Sequence, residues 1–147
     1  SLEAFKTQQM YYEDVQEGVE IPSVTFNLTI QRMVMSAGAN RDYALIHHNT
    51  AAGRGSGAPN MYLNNVSTLA LWDRVISDWI GIYGRVKEVE FRITNFHAAG
   101  DVVTVKGQVS KKWQENGENL IDVEIYSEHN RGKCQVGSVL IVLPSRA

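Results

Sequence analysis

The sequence has a single cysteine, Cys134, so it cannot form an internal disulfide. The protein therefore does not depend on an oxidising compartment, and we expect it to be cytoplasmic. The chain also lacks an apolar run of about 20 residues, the length that a membrane span needs, and a basic leader followed by an apolar segment. These absences predict a soluble protein with no membrane partner.

The sequence has no marked excess of either charge. Fourteen Lys and Arg residues against sixteen Asp and Glu residues give a formal net charge of -2, and the basic residues form no run. Such a surface gives no electrostatic support for nucleic-acid binding, so we expect no nucleic-acid partner. A length of 147 residues predicts one domain, covering residues 1–147.

The hydrophobic pattern in the first half of the chain predicts one strand and two helices. Apolar and polar residues alternate in "SVTFNLTI", which is typical of a half-buried strand. The next stretch, "IQRMVMSAGAN", predicts a short helix with Thr29 as its N-cap and Gly38 as its end. From Asn60 to Ile80 the apolar residues recur about every 3.6 residues, which predicts one long helix that ends at Gly81.

Only strand patterns follow the long helix. They are "KEVEFRIT", "DVVTVKGQVS", "NLIDVEIYS" and "QVGSVLIVL". "AAGD" and "QENGEN" are the predicted turns, and "NG" is a strong hairpin signal. The last strand is apolar on both faces, which favours an interior position. The sequence therefore predicts an α+β domain with an antiparallel sheet wrapped around one long helix.

The segment "NTAAGRGSGAPN" is rich in small residues and is predicted to be a flexible loop. Its "GRGSGA" satisfies a loose dinucleotide-binding fingerprint, but that fingerprint requires a preceding strand and a parallel βαβ unit. Since neither is predicted here, we interpret the small residues as permitting close backbone approach.

Titratable residues concentrate in "RDYALIHHN", where Asp42 precedes His47 by five positions. The spacing alone leaves two interpretations open: a catalytic acid/base pair, or an Asx-type turn beside a solvated histidine. His47 and His48 are adjacent and diverge in regular geometry, so we predict no metal site. His97 and His129 lie in or near predicted turns and are expected to be solvated.

The stretch "SAGANRDYALIHHN" resembles the hydratase motif of MaoC-like dehydratases and R-specific enoyl-CoA hydratases. In that family a carboxylate and a histidine five residues later stand in a loop beyond a short helix, and Asp42 and His47 match those positions. Ala44 and Leu45 replace the usual Asn-Pro. The resemblance covers most of the chain, through "YYEDVQEGVEIP", "GAPNMYLNN" and "AAGDVVTVKGQV". The helix "LWDRVISDWIG" is similar to small single-hot-dog subunits that some bacteria use in degrading sterol side chains.

The resemblance implies a hot-dog fold, a curved antiparallel sheet around one long central helix. It implies hydration of 2-enoyl-CoA thioesters, or dehydration of 3-hydroxyacyl-CoA, with Asp42 as general base and His47 polarising the same water. It implies no cofactor beyond the coenzyme A of the substrate. The family's sites usually form where two hot-dog units join, so we expect a homodimer, a higher oligomer, or a heteromer with another hot-dog subunit.

Two further groups of binding residues are expected. Helix N-termini present unpaired backbone donors, so an oxyanion hole is expected at the start of the long helix, among Gly57, Asn60 and Met61. Basic residues are expected near the coenzyme A phosphates, and the candidates are Arg85, Lys111, Lys112 and Arg131.

Two alternatives to the hydratase interpretation remain. In a hot-dog acyl-CoA thioesterase, the catalytic carboxylate is usually on the central helix, which would make Asp73 or Asp78 the base. Both are otherwise expected to be solvent-facing charges. The second alternative is a non-catalytic subunit that binds acyl-CoA or shapes the pocket of a partner.

Overall fold

Alternating apolar residues form five antiparallel strands among residues 8–147, the part of the chain that the computed structural model describes. Residues 1–7 of the predicted domain lie outside the described residues. The strands pair in the order β1-β3-β4-β5-β2, so the last strand is interior, as predicted. Their bounds are β1 (Val24–Asn27), β2 (Arg85–Ile93), β3 (Val102–Glu115), β4 (Glu118–His129) and β5 (Gly132–Val142).

The same residues contain three α-helices, α1 (Ile30–Ala39), α2 (Thr50–Gly55) and α3 (Asn65–Ile80). Thr29 caps α1 as predicted, since its Oγ1 accepts from the amide of Arg32 at 3.1 Å. Gly81 ends α3 with a φ of 78°, which confirms the predicted stop.

The long helix begins later than the predicted Asn60. The side chain of Asn64 caps it, because its Oδ1 accepts from the amide of Ser67 at 2.9 Å. Residues 60–64 instead begin with a bend and are not helical, and Tyr62 pairs with Ala98 in an antiparallel bridge. The apolar periodicity continued across this boundary and therefore could not show it.

Helix α3 packs into the concave face of the sheet and is the centre of the core. Its buried residues Trp72, Val75, Ile76 and Ile80 join one hydrophobic cluster with side chains from β3, β4 and β5. Irregular register in β3/β4, β4/β5 and β2/β5 is typical of the bulges that let a sheet bend around a helix. The predicted α+β architecture is confirmed.

The prediction of a loop for "NTAAGRGSGAPN" is wrong over Thr50–Gly55, which forms α2. Asn49 caps this helix by accepting from the amide of Ala52 at 2.9 Å. Tertiary contact stabilises it despite two glycines: a Cβ on Gly53 would lie 2.5 Å from the carbonyl oxygen of Asn60. The interpretation of close backbone approach is correct at Gly53.

Gly53→Ala should therefore lower the free energy of unfolding by about 1–3 kcal/mol, because backbone must move to admit the methyl group. Gly55→Ala is the matched control, since a Cβ there meets no atom within 4 Å among the described residues. Urea denaturation of both variants measures the difference. Equal stability of the two would show that the segment around Asn60 yields without cost.

Candidate active site

The C-terminus of α1 fixes the backbone of Asp42. The amide of Arg41 donates to Gly38 O at 3.0 Å and the amide of Asp42 donates to Ala37 O at 2.9 Å. Arg41 has a φ of 55°, a left-handed conformation that turns the chain away from the helix. The backbone of Asp42 is therefore held by hydrogen bonds to the end of α1.

A single 3₁₀ turn, Leu45–His47, brings His47 back towards Asp42. Nδ1 of His47 donates to the carbonyl oxygen of Tyr62 at 2.7 Å, and the ring is buried. The ring of Tyr62 meets that of His47 edge to face, with centroids 5.3 Å apart. These contacts place Nε2 of His47 3.4 Å from Oδ2 of Asp42.

The carboxylate of Asp42 is partly exposed and accepts two hydrogen bonds. The amide of Ala44 donates to Oδ1 and the side chain of Asn64 donates to Oδ2, each at 3.2 Å. The Ala44 amide first, and Asn64 second, lower the pKa of Asp42 below its ordinary value. Asp42 is therefore an ionised acceptor at neutral pH, open to solvent on one side.

The backbone amides expected to form the oxyanion hole differ in whether they already have a hydrogen-bond acceptor. The amide of Gly57 donates to Arg54 O at 3.0 Å, and that of Met61 donates to Asn60 Oδ1 at 2.8 Å. The amide of Asn60 has no acceptor within residues 8–147. None of these residues is at the start of α3.

The first two amides of α3, those of Asn65 and Val66, also have no acceptor in the described part of the chain. They directly follow Asn64, whose side chain contacts Asp42. The two asparagines before "VSTLAL" are an N-cap signal that could have located these amides from the sequence.

The candidate phosphate-binding residues are mostly engaged elsewhere. Arg85 pairs with Glu118, Lys112 donates to Val15 O at 2.8 Å, and Arg131 holds Asp101 in two hydrogen bonds of 2.7 and 2.5 Å. Lys111 lies over the ring of Trp113. Each of the four therefore has a structural partner: three through hydrogen bonds or ion pairs, and Lys111 through an aromatic ring.

The carboxylates of α3 are exposed, as expected. Asp78 pairs with Arg74 at 2.8 Å, and Asp73 lines an apolar groove between α3 and β2. Within residues 8–147, neither carboxylate forms a hydrogen bond with Asp42 or His47.

The expectation that His97 and His129 are solvated is wrong. They are 1% and 8% exposed, and His97 lies in the segment before β3. Nε2 of His129 donates to Phe96 O at 2.9 Å, and the Asp101–Arg131 pair holds the same segment. Cys134 is fully buried, and burial raises its pKa to about 12, so its thiol is inert.

Stability should fall in mild acid because of His97. Burial lowers the pKa of His97 to about 4 from 6.5. The unfolded state binds the additional proton as the pH falls below 6.5, so the free energy of unfolding decreases from there towards pH 4. We expect this group to contribute a loss of about 2 kcal/mol between pH 7 and pH 5.

Urea denaturation at the two pH values, for wild type and His97→Asn, measures this contribution. The variant lacks the group and should lose less stability over the same range. Identical losses in both proteins would assign the acid sensitivity to other residues.

Within the described ranges, no group of three or more His, Cys, Asp or Glu side chains is placed to hold a metal ion. None of the helices in those ranges combines the length and apolarity needed to cross a bilayer.

Sequence comparison connects the chain to one hydratase subunit. No family model matches it. The beta subunit of 3-oxo-4,17-pregnadiene-20-carboxyl-CoA hydratase from Mycobacterium tuberculosis is 26% identical over 100 residues, which cover 68% of this chain and 74% of that subunit.

Solved structures share the whole fold. A chain of the ChsH1–ChsH2 complex from Mycobacterium tuberculosis superposes with a TM-score of 0.81 and 22% identity, covering 88% of this chain and 98% of its own length. The MaoC-like dehydratase from Rhodospirillum rubrum gives a TM-score of 0.81 and 16% identity, with 94% and 99% covered. These structures show that the chain has the hot-dog fold, as the resemblance in its sequence predicts.

Proposed function

We propose that this protein hydrates 2-enoyl-CoA thioesters, or dehydrates 3-hydroxyacyl-CoA, through a water held between Asp42 and His47. One observation carries the proposal: Oδ2 of Asp42 and Nε2 of His47 face each other at 3.4 Å. The hydratase and dehydratase names of its relatives agree with this chemistry.

The hydrogen bonds define what can bind beside these two atoms and contact both of them. Since Nδ1 of His47 donates to Tyr62 O, the neutral ring has its lone pair at Nε2. The ionised carboxylate of Asp42 is also an acceptor. Two acceptors this close together favour a ligand that can donate two hydrogen bonds. One water molecule can donate to both Oδ2 of Asp42 and Nε2 of His47. The lone pairs of that water then point away from the pair, towards a substrate.

Hydration follows from this arrangement. The water oxygen forms a bond to C3 of the enoyl group, and its proton passes to Asp42. The C2–C3 π electrons move into the thioester, whose oxygen becomes an enolate. Asp42 then returns that proton to C2, which consumes the enolate and gives the 3-hydroxyacyl thioester, while Nε2 of His47 accepts from the added hydroxyl group. Positioned acid/base groups of this kind contribute roughly 10²–10⁴-fold to rate.

The developing enolate requires hydrogen-bond donors. The unpaired amides of Asn65 and Val66 supply them at the N-terminus of α3, where the helix dipole also favours negative charge. The free amide of Asn60 is a further candidate from the same region.

We further propose that the working unit is a pair of hot-dog units. An apolar groove of about 240 Å³ runs between α3 and the edge strand β2, lined by Val66, Leu69, Ala70, Val86 and Val89. An apolar groove beside an open strand edge is a surface that a second hot-dog unit can cover. The companion is a second copy or another hot-dog subunit.

The test is loss of absorbance of conjugated enoyl-CoA thioesters, from crotonyl-CoA to a steroid 20-carboxyl enoyl-CoA. The larger substrates are included because the related subunit belongs to a pregnadiene-carboxyl-CoA hydratase. The protein is assayed alone and with a candidate partner subunit. Turnover of any member supports the proposal, and no turnover in either condition refutes it.

A further inference from the structure

The N-cap residue of α3 contacts the proposed base. We propose that Asn64 is a positioning residue, whose amide group fixes the Asp42 carboxylate to the N-terminus of α3. The proposal rests on the proposed function, since it concerns the orientation of the group that accepts the proton of the water.

The orientation of the Asn64 amide follows from its backbone partner. The amide N–H of Ser67 can only donate, and it lies 2.9 Å from one terminal atom of the Asn64 side chain. That atom must be the acceptor, Oδ1. The other atom is therefore the NH₂ group, and it lies 3.2 Å from Oδ2 of Asp42. Asn64 thus donates to the oxygen that faces His47.

A buried polar network holds Asn64 in place. Its side chain is 4% exposed, so water does not compete strongly for these bonds. Asn40 donates to Ser67 Oγ at 3.0 Å and approaches Asn64 Oδ1 at 3.4 Å. Ser36 pairs with Ser67. The end of α1 and the start of α3 are therefore tied together around this one side chain.

This link fixes the distance between the proposed base, Asp42, and the proposed donors to the enolate. Asn64 contacts Asp42 through its side chain, and its backbone leads directly into the unpaired amides of Asn65 and Val66. One residue thus fixes the carboxylate that activates water relative to the donors that stabilise the enolate. A hydrogen bond to the ionised form also favours ionisation of the base.

If Asn64 served only as the N-cap of α3, a different result would be expected. A serine hydroxyl accepts from the N3 amide about as well as asparagine does, so it would preserve the cap. It has no NH₂ group to reach Oδ2 of Asp42. Asn64→Ser and Asn64→Asp both retain a capping oxygen, and both remove the donor. Asn64→Asp also places a second negative charge beside Asp42.

The experiment measures the pKa of Asp42 by carboxyl ¹³C NMR and kcat by the enoyl-CoA assay. Asn49→Ser is the matched control: Asn49 caps α2 through the amide of Ala52 and has no described contact with Asp42. Circular dichroism verifies that all three variants fold.

We expect the pKa of Asp42 to rise in Asn64→Ser and to rise further in Asn64→Asp, because like charges disfavour ionisation. We expect kcat to fall about tenfold or more in both, with little change in KM, and both quantities to stay unchanged in Asn49→Ser. An unchanged pKa of Asp42 in both Asn64 variants overturns the proposal, even if kcat falls. If wild type has no hydratase activity, the proposed function fails, but the NMR titration still tests the role of Asn64.

Discussion

Asp42→Asn is expected to lower kcat for enoyl-CoA hydration by about 10²–10⁴-fold while the fold is retained. The substituted side chain has the same shape, and its oxygen can still accept from the amide of Ala44, now 3.2 Å from Oδ1. It cannot take a proton from water. Because the carboxylate is partly exposed, the loss of its charge should change stability little. Steady-state kinetics and a thermal melt measure the two effects separately.

Asp73→Asn and Asp78→Asn are the controls for this experiment. Both carboxylates are exposed on α3, and Asp78 pairs only with Arg74 on the surface. Both variants should hydrate enoyl-CoA at the wild-type rate. If Asp42→Asn stays active while one of these variants loses hydrolysis of saturated acyl-CoA, the protein is a thioesterase. If wild type binds thioesters without turnover, alone and with a partner, it is a non-catalytic subunit.

The strands were predictable because their information is local. Apolar alternation shows which face of each strand is buried, and "NG" marks the hairpin between β3 and β4. Asn116 and Gly117 have φ values of 50° and 76°, the left-handed pair that this turn needs. The closeness of Asp42 and His47 was predictable for the same reason, since both lie within one short stretch.

The other features depend on contacts distant in the sequence. Gly53 packs closely against the backbone at Asn60, and His97 is buried in a segment that Asp101 and Arg131 hold. Neither contact leaves a periodic signal. The partner of Asp42, Asn64, lies 22 positions away on another element. A capping signal could have located Asn64 at the helix start, but only the folded chain shows that it also contacts the carboxylate.

The second large effect is expected for His47→Asn, which should lower kcat by about 10²-fold or more. The amide of the new side chain can take the place of Nδ1 and donate to Tyr62 O, 2.7 Å from that nitrogen, so the loop should keep its conformation. No atom replaces Nε2, and the water loses its second acceptor beside Asp42. Single-turnover kinetics report the chemical step directly.

His48→Gln separates this loss from any general disturbance of the loop. Nε2 of His48 donates to the backbone oxygen of Asp42 at 2.7 Å, and a glutamine amide can make the same bond. This variant should keep nearly wild-type kcat. Equal losses in His47→Asn and His48→Gln would mean that the two histidines only shape the loop. A large loss of kcat in His47→Asn alone would show that the reaction depends on Nε2 of His47, the atom that shares a water with Asp42 in the proposed function.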